Sequence, residues 1–399
     1  MKQGWESKKL GEVAKIGAGN SAPQDKSLFT NGVYPFFRTS DIGKIRIGGV
    51  STAVDLLNDQ GIKKLKLYPK GTILLPKSGA STFLNHRVIL DVNGFVSSHL
   101  ATVVCDEDLL DKRFALYYLI GIKAQDLIQD HSYPSLKLSD IKEIPIPIPS
   151  LEEQKQIVAK LDQCFEAIDK AKANAAKNLE NAKELFQSKL NDIFSQKGEG
   201  WVEKKLGDVC SLIKRGIPPK YIETGGIQVV NQKCIRNHKV NLTLARRHNI
   251  VLKSVSQEKL IQIGDVLVNS TGVGTLGRVA QVRDSIISDT TVDTHVTIVR
   301  PIPDLFFIDF FGYVLIKIED EITKSGEGAS GQTELARTKL QNNFIVSYPT
   351  SLEEQKQIVK ILDSLKKQTQ SLESKYQQEL NSLEELKKSI LQKAFEGEL

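Results

Sequence analysis

The chain has 399 residues, 40% of them hydrophobic and 26% charged, and its 54 Lys and Arg against 48 Asp and Glu give a formal net charge of +6. That length suits two or three domains of roughly 100–200 residues. The composition is that of a folded globular protein, and no apolar run nears the ~20 residues that a bilayer span needs. The opening MKQGWESKKLGEV has no apolar core of the secretory kind, which predicts a cytoplasmic chain with no membrane partner. Cys105, Cys164, Cys210 and Cys234 lie far apart without a C-x-x-C, so neither a disulfide framework nor a zinc knuckle is expected.

Residues 1–150 read as strands and turns with one late helix. Gly71-TILLPKS and His99-LATVV are turn-strand units, and Phe114-ALYYLI is a buried helical turn. Pro145, Pro147 and Pro149 forbid helix up to Ser150. There Ser150 and Glu153 form an S-x-x-E capping box. A helical segment, 151–197, follows. Stepping 4-3-4-3 from Ile157 gives Leu161, Cys164, Ile168, Ala171, Ala175, Asn178, Ala182 and Leu185, a nearly continuous apolar seam.

The second half repeats the first. Trp5-ESKKLGEV is answered by Trp201-VEKKLGDV, Ser98-His99 by Thr294-His295, and Gly71-TILLPKS by Gly264-DVLVNST. SLEEQKQIV occurs letter for letter at Ser150–Val158 and Ser351–Val359. Two tandem copies of one unit follow: a mixed α/β domain at 1–150 with its helix at 151–197, then a second domain at 198–351 with its helix at 352–399. The second seam runs Ile358, Leu362, Leu365, Thr369, Leu372, Tyr376, Glu379, Leu383, Leu386 and Ile390. Both segments are predicted to pair as a coiled coil, small alanines of the first facing large residues of the second. The same spacing also fits two amphipathic helices that each lie on their own globule.

Charge is unevenly placed. Residues 1–150 carry +4 and 198–351 carry +3, whereas 151–197 are neutral and 352–399 carry −1. Positive heads on balanced rods fit a polyanion such as DNA. Within the heads, polar side chains gather at equivalent turn-rich places: Asn20; Arg38, Thr39 and Ser40 against Asn231, Gln232 and Lys233; Lys77 and Ser78 against Asn269, Ser270 and Thr271. Lys214, Arg215, Lys220 and Tyr221 sit in a glycine-proline loop of the second head whose counterpart, Ile16 to Gln24, is uncharged. Arg, Lys, Asn and Gln read base edges, and Ser and Thr reach phosphates. Similar places with different identities are what two heads reading different sequences require.

Catalytic signatures are decoys. Gly272-VGTLGRVAQV carries G-x-G-x-x-G, but the residues after it read as strand rather than as the helix that phosphate binding needs. Asp140-Ile-Lys142 has no counterpart in the second copy, and Cys234, His238 and His248 lack a fourth ligand. No catalytic residue and no metal site is expected.

The whole chain resembles the specificity subunit of type I restriction-modification systems. Pro147-IPSLEEQKQI, its repeat from Ser351, the ending Leu391-QKAFEGEL and the Trp5…Gly11 and Trp201…Gly207 starts carry that resemblance. Two departures stand out. Gly19-NSAP and Gly216-IP replace the family's Gly-Thr-Pro, and Gly331-Gln332 has no match near Tyr133-Pro134. The resemblance implies an α+β fold of two target-recognition domains separated by long helices packed as an antiparallel coiled coil, with pseudo-twofold symmetry. It implies a non-catalytic reader of a bipartite double-stranded DNA site. Two modification (methyltransferase) subunits and restriction (motor-nuclease) subunits would bind S-adenosylmethionine, ATP and Mg, none of them held by this chain. The rival from the residues alone is an adaptor with two protein-binding heads on a rod.

Overall fold

The computed structural model describes residues 4–128, 132, 134–283, 289–326 and 334–399; Tyr133, Gly331 and Gln332 lie outside them. Four helices organise the architecture: α1 (Lys112–Gly121), α2 (Leu151–Ser195), α3 (Ile308–Lys317) and α4 (Leu352–Glu396). The chain divides into two compact units. One runs up to Ala176 and adds Gln377–Leu399, and the other is Lys177–Tyr376. Each long helix therefore starts in the unit of its own head and ends in the other unit.

In the first unit the strand Glu6–Lys9 pairs antiparallel with Pro145–Ile148, so both ends of the head meet just before α2. The alternate prolines are tolerated because this ribbon has only two strands, and a missing N–H can face away from the partner. A five-stranded sheet runs in the order Ala14–Ala18, Leu100–Cys105, Ile73–Pro76, Arg87–Leu90, Ile47–Val50. On it lies α1, whose Phe114, Ala115, Leu116 and Leu119 bury against Ile73, Leu75, Ala101 and Val103. Each such large side chain, fully buried, stabilises the head by roughly 1.5–3 kcal/mol. A smaller sheet of Asp55–Leu57, Tyr34–Phe37 and Phe95–Val96 has its own cluster around Phe36.

The long helices complete that core. Ile157, Val158, Leu161, Phe165 and Ile168 of α2 join it from one side, and Leu391 and Ala394 of α4 from the other. Here α2 and α4 run antiparallel. Lys172 pairs with Glu384, Asp169 pairs with Lys387 at 3.0 Å, and the Lys387 ammonium lies 4.7 Å over the Phe165 ring.

The second unit repeats the plan. Trp201–Lys205 pairs with Ile345–Pro349. One sheet orders Cys210–Arg215, Val296–Pro301, Val266–Asn269, Val279–Gln281, and another orders Tyr221–Ile222, Arg246–His248, Ile227–Val230, Thr290–Val292. Its core joins Phe310, Phe311 and Val314 of α3 to Leu190 and Phe194 of α2 and to Ile358, Val359 and Leu362 of α4. Phe194 stacks on Phe310 with ring centroids 5.7 Å apart.

Both helix starts carry the expected serine cap, Ser150 Oγ accepting from Glu153 N and Ser351 Oγ from Glu354 N at 3.3 Å each. The reciprocal arm of the second box is diverted: the Glu354 carboxylate accepts the Trp201 indole N–H at 2.9 Å. The seam needs one correction. Ile157, Leu161, Ile168, Ala175, Ala182, Ile358 and Leu362 are buried, and Leu365, Leu372, Tyr376, Leu383 and Ile390 are half-buried, but Leu185 and Leu386 are 47% and 46% exposed. A 3.6-residue helix drifts about 20° per heptad from a 3.5-residue repeat. The buried stripe therefore passes to Leu190 and Phe194 in α2 and to Leu391 and Ala394 in α4, where each helix leaves its partner for a head. Pairing and lying on a globule, alternatives in the sequence, are both realised.

Candidate nucleic-acid interface

The polar stretches singled out in the sequence converge at one edge of each head. In the first, Gly19 N donates to Leu100 O (3.0 Å), Ser98 N to Asn20 O (2.7 Å), Lys77 N to His99 O (2.9 Å) and Ser97 N to Phe37 O (2.9 Å). These four bonds gather Asn20, Lys77 and the Arg38 turn around Ser98 and His99. In the second head Gly216 N donates to Val296 O (3.1 Å), Ser270 N to His295 O (2.8 Å) and Asp293 N to Val230 O (3.0 Å). Arg215, Ser270 and Asn231 are thereby gathered around Thr294 and His295 on the same backbone frame.

Glycine builds the frame. A Cβ on Gly19 would lie 2.2 Å from Ser97 O, and one on Gly216 would lie 1.8 Å from Val292 O. Both positions need a residue without a side chain.

The side chains divide by what already holds them. Asn20 is spent on the fold, its amide donating to Lys66 O at 2.9 Å and accepting from Lys66 N at 2.7 Å. Arg38 is paired with Asp55 and rests 5.2 Å over the Phe36 ring. Thr39 and Ser40 open a short helix, Thr39–Ile45, with Ser40 exposed. Asn231 caps a 3-10 turn by accepting from Lys233 N at 2.9 Å, and it donates to Leu244 O at 3.1 Å. The Gln232 side chain accepts from Thr275 at 3.4 Å. Thr271 bonds His295 Nδ1 at 2.6 Å.

Two expectations are corrected. Asn269 and Ser270 are buried: Asn269 donates to Gln232 O at 3.1 Å, and Ser270 bonds the Thr297 hydroxyl. The first therefore positions the Gln232 turn, and neither offers a group to a surface ligand. Lys214 and Arg215 end the strand Cys210–Arg215 instead of lying in a loop. Lys214 pairs with Glu258 at 2.7 Å, while Arg215 pairs with Glu334 at 2.5 Å and donates to Leu335 O at 2.7 Å. Among the described residues, Lys77, Lys220 and Lys233 carry no ion pair, and Tyr221 lies under the Arg246 guanidinium, 3.3 Å from its ring centroid. The exposed imidazoles of His99 and His295 share the edge. Their matched positions were visible in the repeat, but each looked only like the start of a strand.

The decoys resolve as structure. Gly272, Gly274 and Gly277 all have positive φ and form a turn leading into the strand Val279–Gln281. Gly272 packs against Gln232, so this loop buttresses the edge. His238 pairs with Glu319, and His248 is held between Lys220 N and Lys253 O at 2.8 Å each. No group of three or more metal-ligating side chains occurs among the described residues. Among the same residues no helix is long and apolar enough to cross a membrane.

A sequence model of the type I restriction modification DNA specificity domain matches residues 2–178 and again 198–382. The chain belongs to this family. Its specificity-domain relatives include the MjaIX specificity subunit of Methanocaldococcus jannaschii, 26% identical over 265 residues, 57% of this chain and 57% of that one. The EcoBI specificity subunit of Escherichia coli is 24% identical over 366 residues, 84% of this chain and 74% of that one. The chain thus spans little more than half the length of the first of these relatives. Among solved specificity-domain structures, one described as the structural basis of complex assembly and conformational transition of the type I R-M system superposes with a TM-score of 0.81 at 22% identity, covering 100% of this chain and 99% of that one. The HsdS subunit from Thermoanaerobacter tengcongensis gives 0.63 at 21%, covering 100% and 98%. At that identity the likeness establishes the fold.

Proposed function

We propose that the chain is the DNA sequence-recognition subunit of a type I restriction-modification complex. Each head reads one half of a bipartite duplex site, and the long helices set the nonspecific spacer and dock two methyltransferase subunits. The observation that carries this reading is the duplicated edge: one backbone frame, closed by Gly19 in one head and Gly216 in the other, presenting different side chains. A frame kept constant while its side chains vary suits two readers of different base sequences.

Chemistry is assigned to the partners. S-adenosylmethionine, ATP and Mg belong to the modification and restriction subunits, and this chain supplies the address. Phosphate contacts from Lys77, Lys220 and Lys233 would give affinity, and linking two heads raises the effective concentration of the second at its half-site. Sequencing of methylated adenines in cells with and without the chain tests the reading. The expected result is a bipartite motif present only with the chain, and a methylation pattern indifferent to it would overturn the assignment.

A further inference from the structure

The small sheets of the two heads carry the same turn with opposite tips. After Asp55–Leu57, the Asn58 side chain accepts from Gln60 N at 3.1 Å and Gly61 N at 3.0 Å, while Asn58 N donates to Leu28 O at 2.9 Å. After Arg246–His248, the Asn249 side chain accepts from Val251 N at 3.0 Å and Leu252 N at 3.1 Å, while Asn249 N donates to Lys220 O at 2.9 Å. The first tip is polar, Asp59-Gln60, and Asp59 accepts from the Tyr34 hydroxyl at 3.0 Å. The second is Ile250-Val251-Leu252, in which Val251 is 90% and Leu252 72% exposed.

The second tip is also braced. His248, fully buried, accepts from Lys220 N and donates to Lys253 O, and Lys253 N donates back to Asn249 O at 3.2 Å. A Cβ on Gly226 would lie 2.0 Å from His248 O, so the neighbouring turn is closed around the same residue. Two large apolar side chains held out on a fixed backbone contribute nothing to the isolated fold. The exposed side chains of Lys220 and Lys253, whose backbones flank His248, put positive charge on both sides of the apolar tip.

We propose that Val251 and Leu252 are an apolar DNA-reading tip, unique to the second head, that enters a groove and contacts base edges while Lys220 and Lys253 hold the adjoining phosphates. The inference rests on the reading of the chain as a DNA-recognition subunit. The occupant follows from charge and from asymmetry. Two identical partner subunits would call for identical tips on the two heads, whereas two different half-sites call for different ones. Apolar side chains read thymine methyl groups or part a base step, and each needs a backbone already fixed.

The test uses the full chain. Duplexes preferred by the parent are selected from a randomised library, and affinities for the selected and for random duplexes are measured across salt concentrations. V251S/L252S is expected to lose about 10- to 100-fold on the selected duplex, with random-duplex binding and salt slope unchanged, because no cation is removed. K253A is expected to weaken both duplexes and to lower the salt slope by about 1. Both positions are exposed, so an unchanged thermal midpoint verifies that the variants fold. A V251S/L252S chain that binds the selected duplex like the parent overturns the tip and leaves the function standing. A parent chain that enriches no duplex overturns both.

Discussion

Gln154 and Gln355, each the fourth residue after the serine that caps its long helix, make the same three hydrogen bonds in the two units. Gln154 accepts from Asp111 N at 2.8 Å and donates to Leu109 O and Pro149 O at 2.9 Å each. Gln355 accepts from Phe307 N at 2.7 Å and donates to Leu305 O at 3.3 Å and Pro349 O at 2.8 Å. Both amides are fully buried. Each ties the start of a long helix to the turn before the head helix, and only a side chain with one acceptor and two donors satisfies all three partners.

Replacing either glutamine by alanine leaves one buried N–H and two carbonyls unmatched, at about 1–3 kcal/mol for each group that water cannot reach. Q154A and Q355A are each expected to lower the thermal midpoint by several degrees. Glutamate is no rescue, because a carboxylate cannot donate to the two carbonyls. Calorimetry of the four variants checks this, and a Q355E midpoint equal to the parent's would refute the account.

Gly216 offers a second stability test. An alanine there brings its methyl carbon to 1.8 Å from Val292 O, a clash with backbone that no rotamer relieves. G216A is expected to shift the loop and to destabilise the second head by more than about 2 kcal/mol, in the range of severe backbone effects. By contrast, a Cβ on Gly43 meets nothing within 4 Å, and G43A should be tolerated. Hydrogen exchange of the residues around Val292 distinguishes the two.

Much of this was legible in the sequence because it is repeated there. The SLEEQKQIV identity gives the duplication, and the prolines and serines give the helix starts. What the sequence hides is contact between distant residues. Nothing local marks Asp55 as the partner of Arg38 or Glu334 as the partner of Arg215. The inward turn of Asn269 depends on Val266–Asn269 being a central strand of its sheet, and a run such as VLVNST does not state where burial ends. Leu185 and Leu386 mislead for a related reason: heptad stepping assumes one partner along the whole helix, and each of these helices changes partners.

Binding electrostatics should follow the ion pairs rather than the count of cations. Lys220 is exposed and unpaired among the described residues, so K220A is expected to lower the slope of log K against log salt by about 1 without moving the thermal midpoint. Arg215 is held by Glu334 and Leu335 O. R215A is therefore expected to affect stability more than salt slope. Salt titrations beside melts of both variants decide it, and matching slopes for K220A and the parent would remove Lys220 from the phosphate contacts.

Lys366 on α4 sets a pH dependence. Burial, then the nearby Arg283 guanidinium, holds its ammonium down to about 8 from 10.5, with Lys239 pushing the same way and Asp363 and Glu319 pulling back. A lysine depressed in the fold binds its proton more tightly when unfolded. Between pH 8 and 10.5 the unfolded chain therefore carries more proton at this site, and stability rises with pH. Below about 8 both states are charged and the penalty is fully present. The thiols of Cys105, Cys210 and Cys234, pushed up by burial, work in the opposite sense once the unfolded thiols ionise near 9, and Tyr117, pushed up to about 12 by burial and by Asp162, does so once unfolded tyrosine ionises near 10, so the lysine effect is read as the difference between parent and variant. K366M, which keeps the length of the stem without the charge, is expected to raise the melting midpoint of the second unit at pH 7.5, and its advantage over the parent is expected to shrink as pH rises from 8 towards 10.5. Parallel pH profiles for K366M and the parent would show that the ammonium reaches water and carries no such penalty.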